Sequence, residues 1–283
     1  MKTSKYLILG GGMVAGYAAK QLVEGGLKAG ELHIVSADSS IPYERPPLSK
    51  GFLAGKDPEA SIFISADDFY REHEIEVQLN CVVDGVDPDR KTIHLRSGAE
   101  IGFEKLVVAT GAQVSRLNIP GADLAGIYYL RTLEDSKRIR EKAGSAKRAV
   151  VVGGGFIAME VTAVLAQKGI ETTMVLPEDR IWKRFFSPGM SQFFEKYYAE
   201  RGVQFAKNTK VSELKGAGAV KSAVLQSGGI LDCEMVVAGI GVTPITEPLL
   251  KSGIELKDGV VVNEYLETNR PDIFAFVIGW NDN

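Results

Sequence analysis

Residues 5–17 read KYLILGGGMVAGY and residues 148–160 read RAVVVGGGFIAME. In each copy a basic residue leads into an apolar run, three consecutive glycines and a second apolar stretch at helical spacing. An apolar run without polar alternation is how a strand buried on both faces reads. Glycines straight after it permit a turn whose backbone angles other residues resist. A second short apolar run follows each copy, ELHIVS at 31–36 and ETTMVL at 171–176. The stretches between, about 13–25 and 156–168, predict helices that end at Gly25-Gly26 and Gly169, glycine being favoured just past a helix C-terminus. Two strand–helix–strand units therefore predict an α/β fold with two Rossmann-like, parallel-sheet domains.

The rest of the chain fits around these units. Residues 41–55 read as a loop punctuated by proline and glycine, with a short helix starting near Pro46-Pro47, where proline suits a first turn. Strand-like runs at 75–87 and 91–96 precede a buried strand, KLVVATG at 105–111. A helix is predicted at about 132–143 and another near 187–200, then alternating strands across 203–231 and a buried strand, MVVAGIG at 235–241. The chain should cross between domains near 111–114 and again near 241–244.

Composition narrows the functions open to such a fold. The 31 glycines exceed the roughly 20 expected for this length, and many of the excess sit in the two clusters. With 45% hydrophobic and 24% charged residues the chain is ordinary for a globular protein. A net charge of −3 gives no electrostatic reason to expect nucleic acid as a partner. Cys81 and Cys233 stand far apart and read as reduced thiols of a cytoplasmic protein. His33, His73 and His94 are scattered, without the spacing of a metal site. Lys2, Lys5 and the apolar stretch to Ala19 look superficially like a signal peptide, but nearly the same pattern recurs mid-chain, so it is read as the first strand and helix. No membrane span is expected, since no apolar run is long enough.

The glycine clusters carry the chemistry. In Gly10-x-Gly12-x-x-Ala15 the first glycine makes the tight turn and the second leaves room for a pyrophosphate. The small third residue lets helix and strand pack closely, and the helix N-terminus offers free N–H groups to the phosphates. Gly153-x-Gly155-x-x-Ala158 repeats the pattern, so two dinucleotides are expected. An acid beyond the second strand reaches an adenosine ribose. Glu178 is well placed for this in the second unit and favours NADH over NADPH, a preference that nearby Arg180 softens. In the first unit the first acid is Asp38, open to two readings: a ribose contact or a solvated side chain.

These motifs, with Pro42-Tyr43-Glu44-Arg45-Pro46-Pro47-Leu48-Ser49-Lys50, Ala109-Thr110-Gly111-Ala112 and Gly153-Gly154-Gly155-Phe156-Ile157-Ala158-Met159-Glu160, resemble the FAD-dependent pyridine nucleotide-disulfide oxidoreductase superfamily. The closest branch holds monodehydroascorbate reductases, ferredoxin and rubredoxin reductases and apoptosis-inducing-factor-like proteins. The stretches YYLRTLEDS (128–136) and FFSPGMSQFFEKYYAERGV (185–203) are particularly similar to monodehydroascorbate reductases. The resemblance implies two glutathione-reductase-type domains: a discontinuous FAD domain over 1–113 and 242–283, and an NAD(P) domain over 114–241. It implies that Gly10, Gly12 and Ala15 carry the FAD pyrophosphate, that Arg45 and Lys50 lie beside the flavin, and that the Thr110-Gly111 turn lies against it. Glu160 resembles the family glutamate near nicotinamide and the flavin-side lysine, so a Lys50–Glu160 ion pair is expected at the hydride-transfer site. Arg131 resembles a position near the cofactors, and Gly241 a turn near the NAD.

Disulfide reductases of the superfamily carry a C-x4-C after the first unit; here that region reads YERPPLSK. The resemblance therefore implies direct onward transfer, from NADH through flavin to monodehydroascorbate or an iron–sulfur redox protein. After Asp272-Ile273-Phe274-Ala275 the family continues with a Gly-Asp motif that binds the FAD ribitol, whereas this sequence reads Phe276-Val277-Ile278-Gly279-Trp280-Asn281-Asp282-Asn283. This predicts an incomplete, C-terminally truncated FAD domain. A second expectation follows, a non-catalytic product that binds NAD(H) and cannot hold FAD. The sequence leaves the oligomeric state open.

Overall fold

A computed structural model describes residues 2–276. The tail on which the missing-aspartate expectation falls lies, beyond Phe276, outside the described residues. In chain order the elements begin with β1 (Lys2–Leu9), α1 (Met13–Glu24) and β2 (Leu32–Val35). A 3-10 turn (Pro46–Ser49) and α2 (Gly51–Ala54) precede α3 (Asp67–Glu72), β3 (Glu76–Gln78), β4 (Val83–Asp87), β5 (Thr92–Leu95), β6 (Glu100–Val108) and β7 (Ala112–Val114). The second motif lies within β8 (Ile127–Tyr129), α4 (Leu133–Ala143), β9 (Arg148–Val152), α5 (Phe156–Gln167) and β10 (Glu171–Val175). Then come α6 (Pro188–Ala199), β11 (Val203–Ala206), β12 (Val211–Ala217), β13 (Ala219–Leu225), β14 (Ile230–Asp232), β15 (Met235–Ala238), β16 (Val242–Pro244) and β17 (Ile273–Ala275).

The described residues form two compact units: 2–44, 60–113 and 243–276, and 45–59 and 114–242. In the first, the sheet runs β3-β2-β1-β6-β5-β4. The C-terminal half of β6 also pairs in parallel with β17, while its N-terminal end pairs antiparallel with β5. In the second, β11-β10-β9-β15-β8 forms a wholly parallel sheet. The first strand of each glycine motif lies inside its sheet, so Leu7 and Ile8 are fully buried and Val151 likewise. That double-sided burial is the reason those strands read as unbroken apolar runs.

Residues 45–59 pack in the second unit. Phe52 and Leu53 are fully buried, and Leu53 joins the core built on α4, α5 and β9. Polar contacts hold the same segment. Ser136 Oγ donates to the Leu48 carbonyl at 2.7 Å, and the Arg140 guanidinium lies 4.5 Å from the centre of the Phe52 ring. Lys137 pairs with Glu59 at 2.8 Å. The anchoring groups are spread over α4, nearly ninety positions away in sequence, which is why local reading does not reach them.

His33, in β2, is 2% exposed and lies beside Glu76, Lys2 and Gln78. Burial, opposed by Glu76 and helped by Lys2, holds its pKa below the ordinary value. The unfolded chain therefore takes up the proton first as pH falls, and stability is lost below about pH 6.5. His33→Gln is expected to flatten the fall in urea midpoint between pH 7.5 and pH 5; an unchanged slope would show that other groups set it.

Candidate functional site

Each unit places its glycine loop at the C-terminal end of a central strand, where open α/β sheets bind ligands. The two loops share their construction. Gly10 N donates to Val35 O at 2.8 Å and Gly153 N to Val175 O at 2.9 Å. Gly10 has φ +121° and Gly153 φ +123°, angles that favour glycine. A Cβ on Gly10 would stand 2.1 Å from the Ala109 carbonyl oxygen, and one on Gly153 would stand 2.3 Å from that of Gly239. The first glycine is thus required by the fold itself, before any ligand arrives. The middle glycine also has a reason the spacing pattern does not capture: a Cβ on Gly11 would lie 2.2 Å from Ser36 Oγ.

The second motif glycine is different. Gly12 and Gly155 are N-caps with ordinary extended angles, and a Cβ on Gly155 would meet nothing within 4 Å. Ala15 and Ala158 are essentially fully buried, the close helix–strand packing their small size permits. The helix ends are also informative. Thr132 caps α4 and Ser187 caps α6 through their side chains. Neither α1 nor α5 has a side-chain cap or an acid in its first turn. Their first N–H groups and positive dipole ends are left for an anion, so the residues present fit the diphosphate of a dinucleotide in both units.

The acids beyond the second strands differ. The Asp38 carboxylate accepts from the Tyr43 hydroxyl at 2.7 Å and from Ser40 N at 3.3 Å, so it is held by protein groups rather than simply solvated. Glu178 is half-buried, with Oε2 3.9 Å from where a Gly154 Cβ would be. Its backbone oxygen accepts from Asn208, as that of Asp38 accepts from Asn80. Both asparagines have left-handed φ, +56° and +53°. This pair of matched turns is a part of the repeat that motif reading missed, and asparagine's tolerance of that conformation was the available signal. Arg180 turns to its neighbour Asp179 at 3.3 Å, and Lys183 reaches the same carboxylate at 2.9 Å. These contacts hold Asp179 below the usual carboxylate range, the Lys183 hydrogen bond being the largest cause.

Lys50 and Glu160 come together in the second unit, with Lys50 Nζ 3.3 Å from Glu160 Oε1. Ser49 Oγ donates to the other oxygen, Oε2, at 2.5 Å. A cavity of about 280 Å³ opens beside them, lined in part by Ala54, Ala163, Gln167 and Tyr198. Burial first, and the charge of Glu160 second, push the Tyr198 phenol upward, and its hydroxyl donates to the Met159 carbonyl at 3.3 Å. Arg45, from the same loop, donates to the Arg131 carbonyl, whose own amide donates to Asp135.

The other expected site residues act first as structure. Thr110 Oγ1 donates to Ile245 O at 2.7 Å, and Gly111 turns at φ +68° in the first unit. Gly241 turns at φ +115° and its carbonyl accepts from Ser115 N in the second. Phe156, the first residue of α5, is exposed and packs at a tilt against Trp182 and Phe185, an aromatic wall beside the second loop. The thiols of Cys81 and Cys233 are free; burial raises both, Cys233 to about 11, which leaves it unreactive.

The sequence pattern of the pyridine nucleotide-disulphide oxidoreductase family matches residues 4–276. The chain belongs to that family. Among curated relatives, a chloroplast monodehydroascorbate reductase of Oryza sativa is 35% identical over 96% of this chain and 58% of its own length. The rubredoxin-NAD(+) reductase of Pseudomonas putida is 34% identical over 95% of this chain and 70% of its own. The covalent putidaredoxin reductase–putidaredoxin complex superposes with a TM-score of 0.92 at 30% identity, covering 97% of this chain and 67% of that one. The chain thus spans 58–70% of the length of these members. Family membership and fold agree with the expectation of an α/β fold with Rossmann-like sheets.

Proposed function

We propose that the chain belongs to an FAD-dependent NADH oxidoreductase that passes electrons to monodehydroascorbate or to a small iron–sulfur redox protein. The observation that carries this reading is the pair of uncapped glycine-loop helices, one in each unit. The names of the relatives supply the acceptor classes: monodehydroascorbate, rubredoxin and putidaredoxin. When bound, FAD accepts a hydride from the nicotinamide and hands its electrons onward. Gly10, Gly12 and Ala15 hold its diphosphate, with Asp38 at the ribose end. Gly153, Gly155 and Ala158 hold that of NADH, with Glu178 at its ribose and Gly241 shaping the adjoining turn. Arg45, Arg131, Thr110 and Gly111 border the flavin. Lys50, paired with Glu160, offers its ammonium to the negative charge that reduction brings. The cytoplasmic location expected from the sequence belongs to the same proposal, supported by the two free thiols.

Protein produced with flavin available is expected to be yellow and to bleach anaerobically on adding NADH. Colourless protein that binds NADH in calorimetry but takes up no FAD would instead identify an NAD(H)-binding product without turnover. Within the reading, Glu178→Gln is expected to narrow the preference for NADH over NADPH about tenfold, the ratio set by roughly 1.4 kcal/mol. Steady-state kcat/KM with each nucleotide checks this. An unchanged ratio would assign the preference to other residues, and the engagement of Arg180 by Asp179 supports Glu178.

A further inference from the structure

Lys50 is a poor candidate for fixing its own geometry. Its side chain is 55% exposed, and an ammonium on a four-carbon stem is a mobile point charge. Ion pairs at such exposure hold weakly. Glu160, at 27% exposure, presents two chemically equivalent oxygens. The fixed element is the residue just before Lys50 in the chain, against the other oxygen of Glu160. Ser49 is 1% exposed. It ends the 3-10 turn whose Leu48 carbonyl is tied to buried Ser136 at 2.7 Å, and the next turn is anchored by fully buried Phe52 and Leu53. Its hydroxyl has a single proton and two acceptors in view. Glu160 Oε2 stands at 2.5 Å and Pro46 O at 3.4 Å, and the shorter, charge-assisted contact takes it. Among the described residues Ser49 is the one side chain that hydrogen-bonds Glu160 and Lys50 the one that pairs with its charge, since the nearby Tyr198 hydroxyl is directed to Met159 O.

We infer that Ser49 is a positioning residue: by holding Oε2 of Glu160 it turns Oε1 toward Lys50 and keeps the ion pair in the geometry used for hydride transfer. The buried serine supplies the directional contact; the exposed lysine supplies the charge. The inference rests on the proposed flavin reading, so its test has one arm that needs cofactor and one that does not.

In the first arm, anaerobic stopped-flow bleaching by NADH is followed in wild type, Ser49→Ala, Glu160→Gln and the double variant. Ser49→Ala is expected to lower the limiting reduction rate about tenfold while the NADH dissociation constant stays within twofold. In the Glu160→Gln background it is expected to lower the rate no further. A limiting rate within twofold of wild type, or an equal loss in both backgrounds, overturns the inference. In the second arm, urea unfolding of the same four chains without cofactor reads the contact directly. The stability loss of the double variant should fall short of the sum of the single losses, and strict additivity overturns the clamp. Protein that never takes up flavin overturns the proposed function; the clamp then stands or falls on the unfolding cycle alone.

Discussion

Gly153→Ala is expected to lower the stability of the second unit by about 3 kcal/mol, through a strained φ and a forced backbone contact acting together. The added methyl would lie 2.3 Å from the Gly239 carbonyl oxygen, at φ +123°. Relief requires β9 and β15 to separate, and their contact is continuous along Met235–Ala238. Gly155→Ala is the matched control. Its backbone is ordinary for any residue and the space around it is open, so unfolding should change by less than about 0.5 kcal/mol. Its methyl instead occupies the room left for a diphosphate, and NADH affinity should fall at least tenfold. Urea unfolding and NADH calorimetry on both variants separate the two effects. Equal stability losses would show that the two glycines serve the fold alike, and the division argued for the loop would fail.

Lys50→Met is expected to slow NADH-driven flavin reduction about a hundredfold, the scale on which removing one preorganised electrostatic group acts. The ammonium lies 3.3 Å from Glu160 Oε1, and methionine keeps much of the stem's bulk without the charge. NADH binding should hold within about threefold, because the diphosphate loop is a separate part of the second unit. Anaerobic stopped-flow at saturating NADH gives the rate and its concentration dependence gives the affinity. A reduction rate within threefold of wild type would remove Lys50 from the chemistry.

Much of this site was legible because its signals are local. Gly10 and Gly153 each stand directly after a buried strand, and the hydrogen bonds that make the turn lie within one strand–helix–strand unit. The ion pair was different. Lys50 and Glu160 are 110 positions apart, and only the family resemblance joined them. Ser49, beside Lys50 and read as part of the same motif, went unrecognised as a functional residue, because nothing in the spacing says that a serine will be buried against a distant carboxylate. Asp38 shows the reverse limit: the sequence located the acid, but its engagement by Tyr43 depends on how the 41–44 turn folds back.

By itself the sequence determined the two strand–helix–strand units, the turns that join their strands and helices, and the two helix ends left open to anions. Apolar periodicity and glycine's missing side chain act over a few residues, and such effects are written directly in the order of the chain. Only the tertiary structure decided that residues 45–59 pack with the second unit, that Glu160 receives Ser49 on one oxygen and Lys50 on the other, and that Arg180 turns to Asp179. Those outcomes depend on which buried surfaces meet. The placement of residues 45–59 turns on Leu53 joining the core built on α4, α5 and β9, and on Ser136 satisfying a buried carbonyl. No local pattern encodes either.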